Sequence, residues 1–95
     1  MADLNDRLDE YFGKFGMDSR DLDSDNNDVV RKYFSKVVML ALTKYDVSVE
    51  DLADELPIPV ARLTVLRWES GVANPHMVVK KDVLEWIVDN IPRYK

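Results

Sequence analysis

Apolar side chains recur at spacings of three and four along most of this chain, and polar, Pro- or Gly-containing stretches cut the recurrence into five pieces. Such spacing marks one face of a helix. The first piece carries Leu4, Leu8, Tyr11 and Phe12, enough for a turn or two before Gly13 and Gly16 interrupt it. Phe15 and Met17 follow and need cover. The second and longest piece runs from about Val29 to Tyr45, with a broad apolar face from Val29, Val30, Tyr33, Phe34, Val37, Val38, Leu40, Ala41 and Leu42. Asn26 to Asp28 can cap its start. This helix is the expected scaffold. Arg31, Lys32, Lys36 and Lys44 occupy the rest of it, as a solvated face or as phosphate contacts.

The third and fourth pieces are short. Leu52, Ala53 and Leu56 share a face of one. Val65 and Trp68 stand three apart on the other, which runs from about Val60 and stops at Gly71. Helices this short are marginal in water, so they must pack on each other and on something else. Trp68 is expected to lie buried beneath them. Ser48 and Asp51 predict a capped start for the first, and Glu50 and Asp51 suit the positive end of its dipole. Pro57 and Pro59 stop that helix, and Pro59 suits the first turn of the next. Gly71 can take a left-handed conformation at the end of the second. Glu69 is expected to bond backbone amides of the loop that follows. Two short helices joined by a tight turn have helix-turn-helix geometry, whose second helix is shaped to enter a major groove.

The last piece is predicted to start with Asn74 as cap and Pro75 at the first helical position. Met77, Val79, Val83, Trp86, Ile87 and Ile91 are spaced for one buried stripe. Val78, Leu84 and Val88 fall outside it, a surplus that is either ordinary burial or a self-association surface. Pro92 ends the helix and leaves Arg93, Tyr94 and Lys95 as a basic tail. The fold class expected is all-α, a small domain of about five helices.

Leu52-Ala53, then Thr64-Val65-x-Arg67-Trp68-Glu69-x-Gly71, then Pro75, resembles the XRE-type helix-turn-helix family of phage repressors and Cro-like proteins. The resemblance covers residues 48 to about 88. It implies a lambda-repressor-like fold and a second helix that lies in the major groove of DNA. The positions that read bases in that family map to Arg62, Leu63, Thr64, Leu66 and Arg67. The chain departs from the family at the turn, where Pro57, Ile58 and Pro59 replace a glycine and lengthen the connection by two residues. It also departs in chemistry. Leu63 and Leu66 can touch a thymine methyl but read no hydrogen-bonding pattern.

Composition changes this picture in one respect. The chain has 95 residues and a net charge of −5, which opposes contact with phosphates. Residues 1–28 hold nine acids and three bases, a net of −6, while residues 29–95 hold nine acids and ten bases, a net of +1. The expected organisation is therefore an acidic N-terminal arm over 1–28, with a short amphipathic helix, and a helix-turn-helix domain over 29–95. Residues 18–28 hold little but Leu22 to bury and repel themselves, so a loop or disorder is expected there. The arm either competes with phosphates for the domain's cations or simply docks its helix on the core. Asp21, Asp23 and Asp25 alternate as in the opening of a calcium loop, but Asn26 and Lys32 stand where that loop needs Gly and Glu.

The remaining chemistry excludes function classes. There is no cysteine, and the one histidine, His76, has no partner at ligand spacing, so no metal or cofactor is expected. No Ser or Thr has a plausible base, and the carboxylates sit on exposed helix faces, so catalysis is not expected. No apolar run spans a bilayer and the N-terminus lacks the features of a secretory signal, so a soluble cytoplasmic protein is expected. The sequence thus points to a transcriptional regulator that binds double-stranded DNA as a homodimer on a palindromic site. Arg62, Thr64 and Arg67 would make the polar contacts. The alternative is a protein-interaction module, antitoxin-like or phage-encoded, that keeps the fold and seats a protein partner on Leu63 and Leu66.

Overall fold

A computed structural model describes residues 3–94. The chain folds as α1 (Leu4–Phe12), α2 (Asn27–Thr43), α3 (Val49–Glu55), α4 (Arg62–Ser70) and α5 (Met77–Asn90). Short 3-10 turns at Gly13–Phe15, Ser19–Asp23 and Ile91–Tyr94 complete it. No strand occurs among the described residues. The all-α class expected from the spacing is the one observed. Lys95 of the basic tail lies outside the described residues.

α2 is the scaffold. It packs against α4, α5 and the 19–23 turn, and buries Val30, Tyr33, Phe34, Val37, Val38, Leu40 and Ala41. Its first turn is capped by Asn26, whose Oδ1 accepts the Asp28 N–H at 2.9 Å. The Tyr33 hydroxyl is buried with no hydrogen-bond partner, and burial pushes its phenol well above the ordinary value. Tyr45, just past the helix, meets Tyr11, Phe12 and Phe15 edge-on with centroids 5.8, 5.7 and 6.4 Å away. Edge-to-face rings at these distances attract beyond simple burial.

The acidic N-terminal stretch belongs to this core. Leu8 and Phe12 of α1 are fully buried, and Leu22 is nearly so. α1 lies along α5, where Arg7 pairs with Asp89. The segment expected to be a loop or disordered is folded instead over Ser19–Asp23. Local hydrogen bonds account for this. Asp18 caps the turn by accepting the Arg20 N–H at 2.9 Å, and Asp9 of α1 accepts both the Ser19 N–H and its hydroxyl at 2.9 Å. Two of its aspartates and one of α1 thus act as acceptors within the fold, since Asp23 also takes a bond from Asn5 at 3.4 Å. Asp21, Asp23 and Asp25 form part of no metal-holding group of three or more acids or histidines among the described residues.

α5 departs from the single-stripe expectation. It buries Lys80, Val83, Leu84, Trp86, Ile87 and Val88. Of the residues left between burial and self-association, Leu84 and Val88 face the core, while Met77 is exposed and Val79 half-buried. The reason is that α5 is contacted from three sides, by α1, α2 and α3, so one stripe is too narrow. Of Val78, Leu84 and Val88, Val78 is the one that is exposed. The helix also starts later than expected. His76, not Asn74, occupies the cap position, and Pro75 precedes the helix, where its carbonyl accepts a bond from the buried Lys80 Nζ at 2.5 Å.

Candidate nucleic-acid interface

α3 and α4 are held at a defined angle by backbone and side-chain bonds rather than by helix propensity. Ser48 caps α3, its Oγ accepting the Asp51 N–H at 3.2 Å. The connection bends over residues 56–58, and the Val60 N–H reaches back to the Ala53 carbonyl at 2.9 Å. That bond keeps Pro59 and Val60 out of α4, which starts at Arg62, later than the spacing predicts. Leu52, Ala53 and Leu56 face inward as expected.

α4 is pinned to α2. Val65 is fully buried and Trp68 is 3% exposed. The Trp68 indole meets the Phe34 ring at 5.9 Å, tilted by 70°. The Ser35 hydroxyl of α2 donates to the Trp68 carbonyl at 2.7 Å, and the Gly71 N–H donates to the same oxygen at 3.2 Å. Gly71 sits at φ 79°, the left-handed conformation expected of it. Ser35 is an end-cap supplied by another helix, a role no local pattern reveals.

With Val65 and Trp68 inward, the rest of α4 faces solvent. Arg62, Leu63, Leu66 and Arg67 are all exposed, and Thr64 is half-buried. Leu63 is 56% and Leu66 42% exposed, and Ile58 on the preceding connection is 76% exposed. The five positions given by the resemblance thus lie on one short helix, with Thr64 at the edge of the exposed face. α4 has no capping side chain at Ala61 and no acid in its first turn, so its positive end is not neutralised from within.

The acids of α3 are largely matched. Arg93, from the 91–94 turn, grips both Glu55 oxygens at 2.7 and 2.8 Å and Asp51 at 3.0 Å. The Tyr94 hydroxyl donates to Asp51 at 2.6 Å. The Arg93 bond holds the Glu55 carboxyl below its ordinary value, and burial, with the Asp51 bond, pushes the Tyr94 phenol up to about 12. Glu50 behaves differently. Its Oε1 accepts from Arg62 Nη1 at 2.8 Å. The ion pair draws Glu50 toward the outer face of α4. Ser48, Val49, Glu50, Arg62, Leu63 and Leu66 line an open groove of about 610 Å³ between α3 and α4.

A second groove, about 580 Å³, runs between α2 and the end of α4. Arg31, Lys32 and Lys36 line one side, Glu69, Ser70 and Asn74 the other. The sequence left these three cations as a solvated face or as phosphate contacts. Their nearness to α4 comes from the packing of α2 on α4. No described helix is long and apolar enough to cross a membrane. Comparison with protein-family models, with curated proteins and with solved structures returns no match for this chain.

Proposed function

We propose that this protein is a DNA-binding regulator of the helix-turn-helix kind. In this reading α4 enters the major groove of duplex DNA and two copies read a palindromic site. The observation that carries the reading is the outward face of α4. A short helix is locked by Val65, Trp68 and Ser35 so that Arg62, Leu63, Leu66 and Arg67 all stand clear of the core. Rigid presentation of a few side chains on a helix is what base readout requires. Arg62 and Arg67 supply donors for guanine or phosphate, and Leu63 and Leu66 can meet thymine methyls. Arg31, Lys32 and Lys36 add positive charge beside the end of α4, suited to the flanking backbone.

The exposure of Ile58, Leu63 and Leu66 favours a second reading, a module that seats a protein partner on the same face. One experiment separates the two. Fluorescence anisotropy on labelled duplexes, over a salt series, is run with wild type, Arg62→Ala, Arg67→Ala and Leu63→Asp. DNA readout predicts that Arg62→Ala loses about 1–3 kcal/mol if it reads a base, and that an equal loss on all sequences marks a phosphate contact. Unchanged affinity in both arginine variants would move the reading to the protein-interaction module, in which Leu63→Asp abolishes partner binding.

A further inference from the structure

The ion pair between Arg62 and Glu50 joins the leading cation of α4 to the helix before it. Both side chains are 66% exposed, and the pair lies at the groove that also holds Leu63 and Leu66. An exposed pair of this kind adds little to stability. Its effect falls on what Arg62 can bind. A guanidinium paired with a carboxylate through Nη1 is neutralised toward a distant phosphate, yet its other N–H donors remain for a second acceptor. Asp51 and Glu55 are occupied by Arg93, and Asp51 also by Tyr94, while Asp54 is exposed and pairs with no cation of α4. Glu50 is the α3 acid that holds an α4 cation.

We propose that Glu50 is the positioning residue of the interface. The proposal rests on the DNA-binding reading above. Glu50 fixes the direction of the Arg62 guanidinium toward a base edge and lowers its attraction for phosphates in general. It therefore sets the ratio of specific to non-specific binding more than the total affinity. A base that accepts two bonds from an arginine, guanine above all, satisfies the donors that Glu50 leaves free. A phosphate must instead compete with Glu50 for the same cation and meets the carboxylate's repulsion.

The test is a double-mutant cycle with the full chain: wild type, Glu50→Gln, Arg62→Ala and the double variant. Each is titrated against a labelled random duplex of about 20 base pairs and against the best duplex that wild type recovers from a random library. Melting curves check that each variant is folded. The expected result is that Glu50→Gln tightens random-duplex binding roughly three- to tenfold at low salt and steepens the salt dependence by about one phosphate contact, while the preferred duplex gains less. In the Arg62→Ala background Glu50→Gln should have little effect, because Glu50 acts through Arg62. An equal gain in both backgrounds would show mere charge repulsion and overturn the proposal, as would no gain at all. A wild type that binds duplexes without preference also overturns it. A wild type that binds no duplex even at low salt defeats the DNA-binding reading itself, and this inference with it.

Discussion

Trp68 shows how one residue can connect fold and site. Its ring fills the space over Phe34, and its carbonyl takes bonds from Ser35 and Gly71. The same turn of helix carries Arg67 outward. Removing the indole leaves a cavity under α4 that the short helix cannot close by itself. Trp68→Ala should cost roughly 3–5 kcal/mol, measured by denaturant unfolding with far-ultraviolet circular dichroism. A loss under about 1 kcal/mol would mean that α4 is held by something other than this side chain. Burial of Trp68, Val65, Leu52 and Leu56 could be read from spacing, since each falls on an inward turn of its helix. The partners of their polar neighbours could not. Ser35 is 33 residues from Trp68, and Arg93 is 42 from Asp51. Nothing local in a sequence marks pairs so far apart.

At the scale of the element, α3 is the instructive case. It has seven residues, four of them acidic, and would not persist alone. The buried Leu52 and Ala53 hold one side of it, and the Arg93–Tyr94 clamp holds another. The clamp has a pH signature. The folded pKa of Glu55 lies below its ordinary 4.5, so its contribution is complete above that value and is lost as pH falls through the lower folded value. Tyr94 runs the other way. Its phenol is raised from 10.0 to about 12, so its contribution is present below 10 and fades as pH rises toward 12. Arg93→Gln should therefore lower the melting temperature at neutral pH. The gap between variant and wild type should narrow as pH falls below Glu55's ordinary 4.5 and its carboxyl takes up a proton. A gap that persists unchanged at about pH 3 would assign the Arg93 effect to packing of its stem rather than to charge.

Over the whole molecule, charge is divided and the division is built into the fold. The acidic stretch 1–28 is joined to the core through Leu8, Phe12 and Leu22, with α1 against α5 and the 19–23 turn against α2. Deleting it removes core, so deletion cannot isolate its charge. Asp21 lines a groove with Lys32 and Lys36, and Asp28 stands 3.9 Å from Arg31. These acids sit beside the cations that would meet a DNA backbone. Changing Asp21, Asp25 and Asp28 to Asn leaves the Asp9, Asp18 and Asp23 hydrogen bonds in place. The variant should bind random duplex more tightly at low salt while melting close to wild type. The gain should fade as salt screens charges beyond about 10 Å at 0.1 M. An unchanged affinity at low salt would show that the arm's charge has no part in binding.

The sequence by itself determined the helical class, the rank of the long helix as scaffold and the inward faces of the helix pair, because each follows from periodicity that neighbours three and four apart impose. It also located Ser48 and Gly71 as helix ends, since capping and left-handed geometry are local. Four of the positions mapped by resemblance lie on the outer side of α4 for the same reason, with Thr64 at its edge. Only the tertiary structure decided that residues 19–23 fold, because Asp9 of α1 accepts the Ser19 N–H and hydroxyl and Asp18 caps the turn, which composition does not reveal. Only it decided that Leu84 and Val88 are buried, because the width of α5's buried face depends on how many helices surround it. And only it brought Glu50 to Arg62 and Arg31, Lys32 and Lys36 to the end of α4. Contacts between helices are set by how whole surfaces pack, and a linear pattern carries that information only for the side chains within one helix.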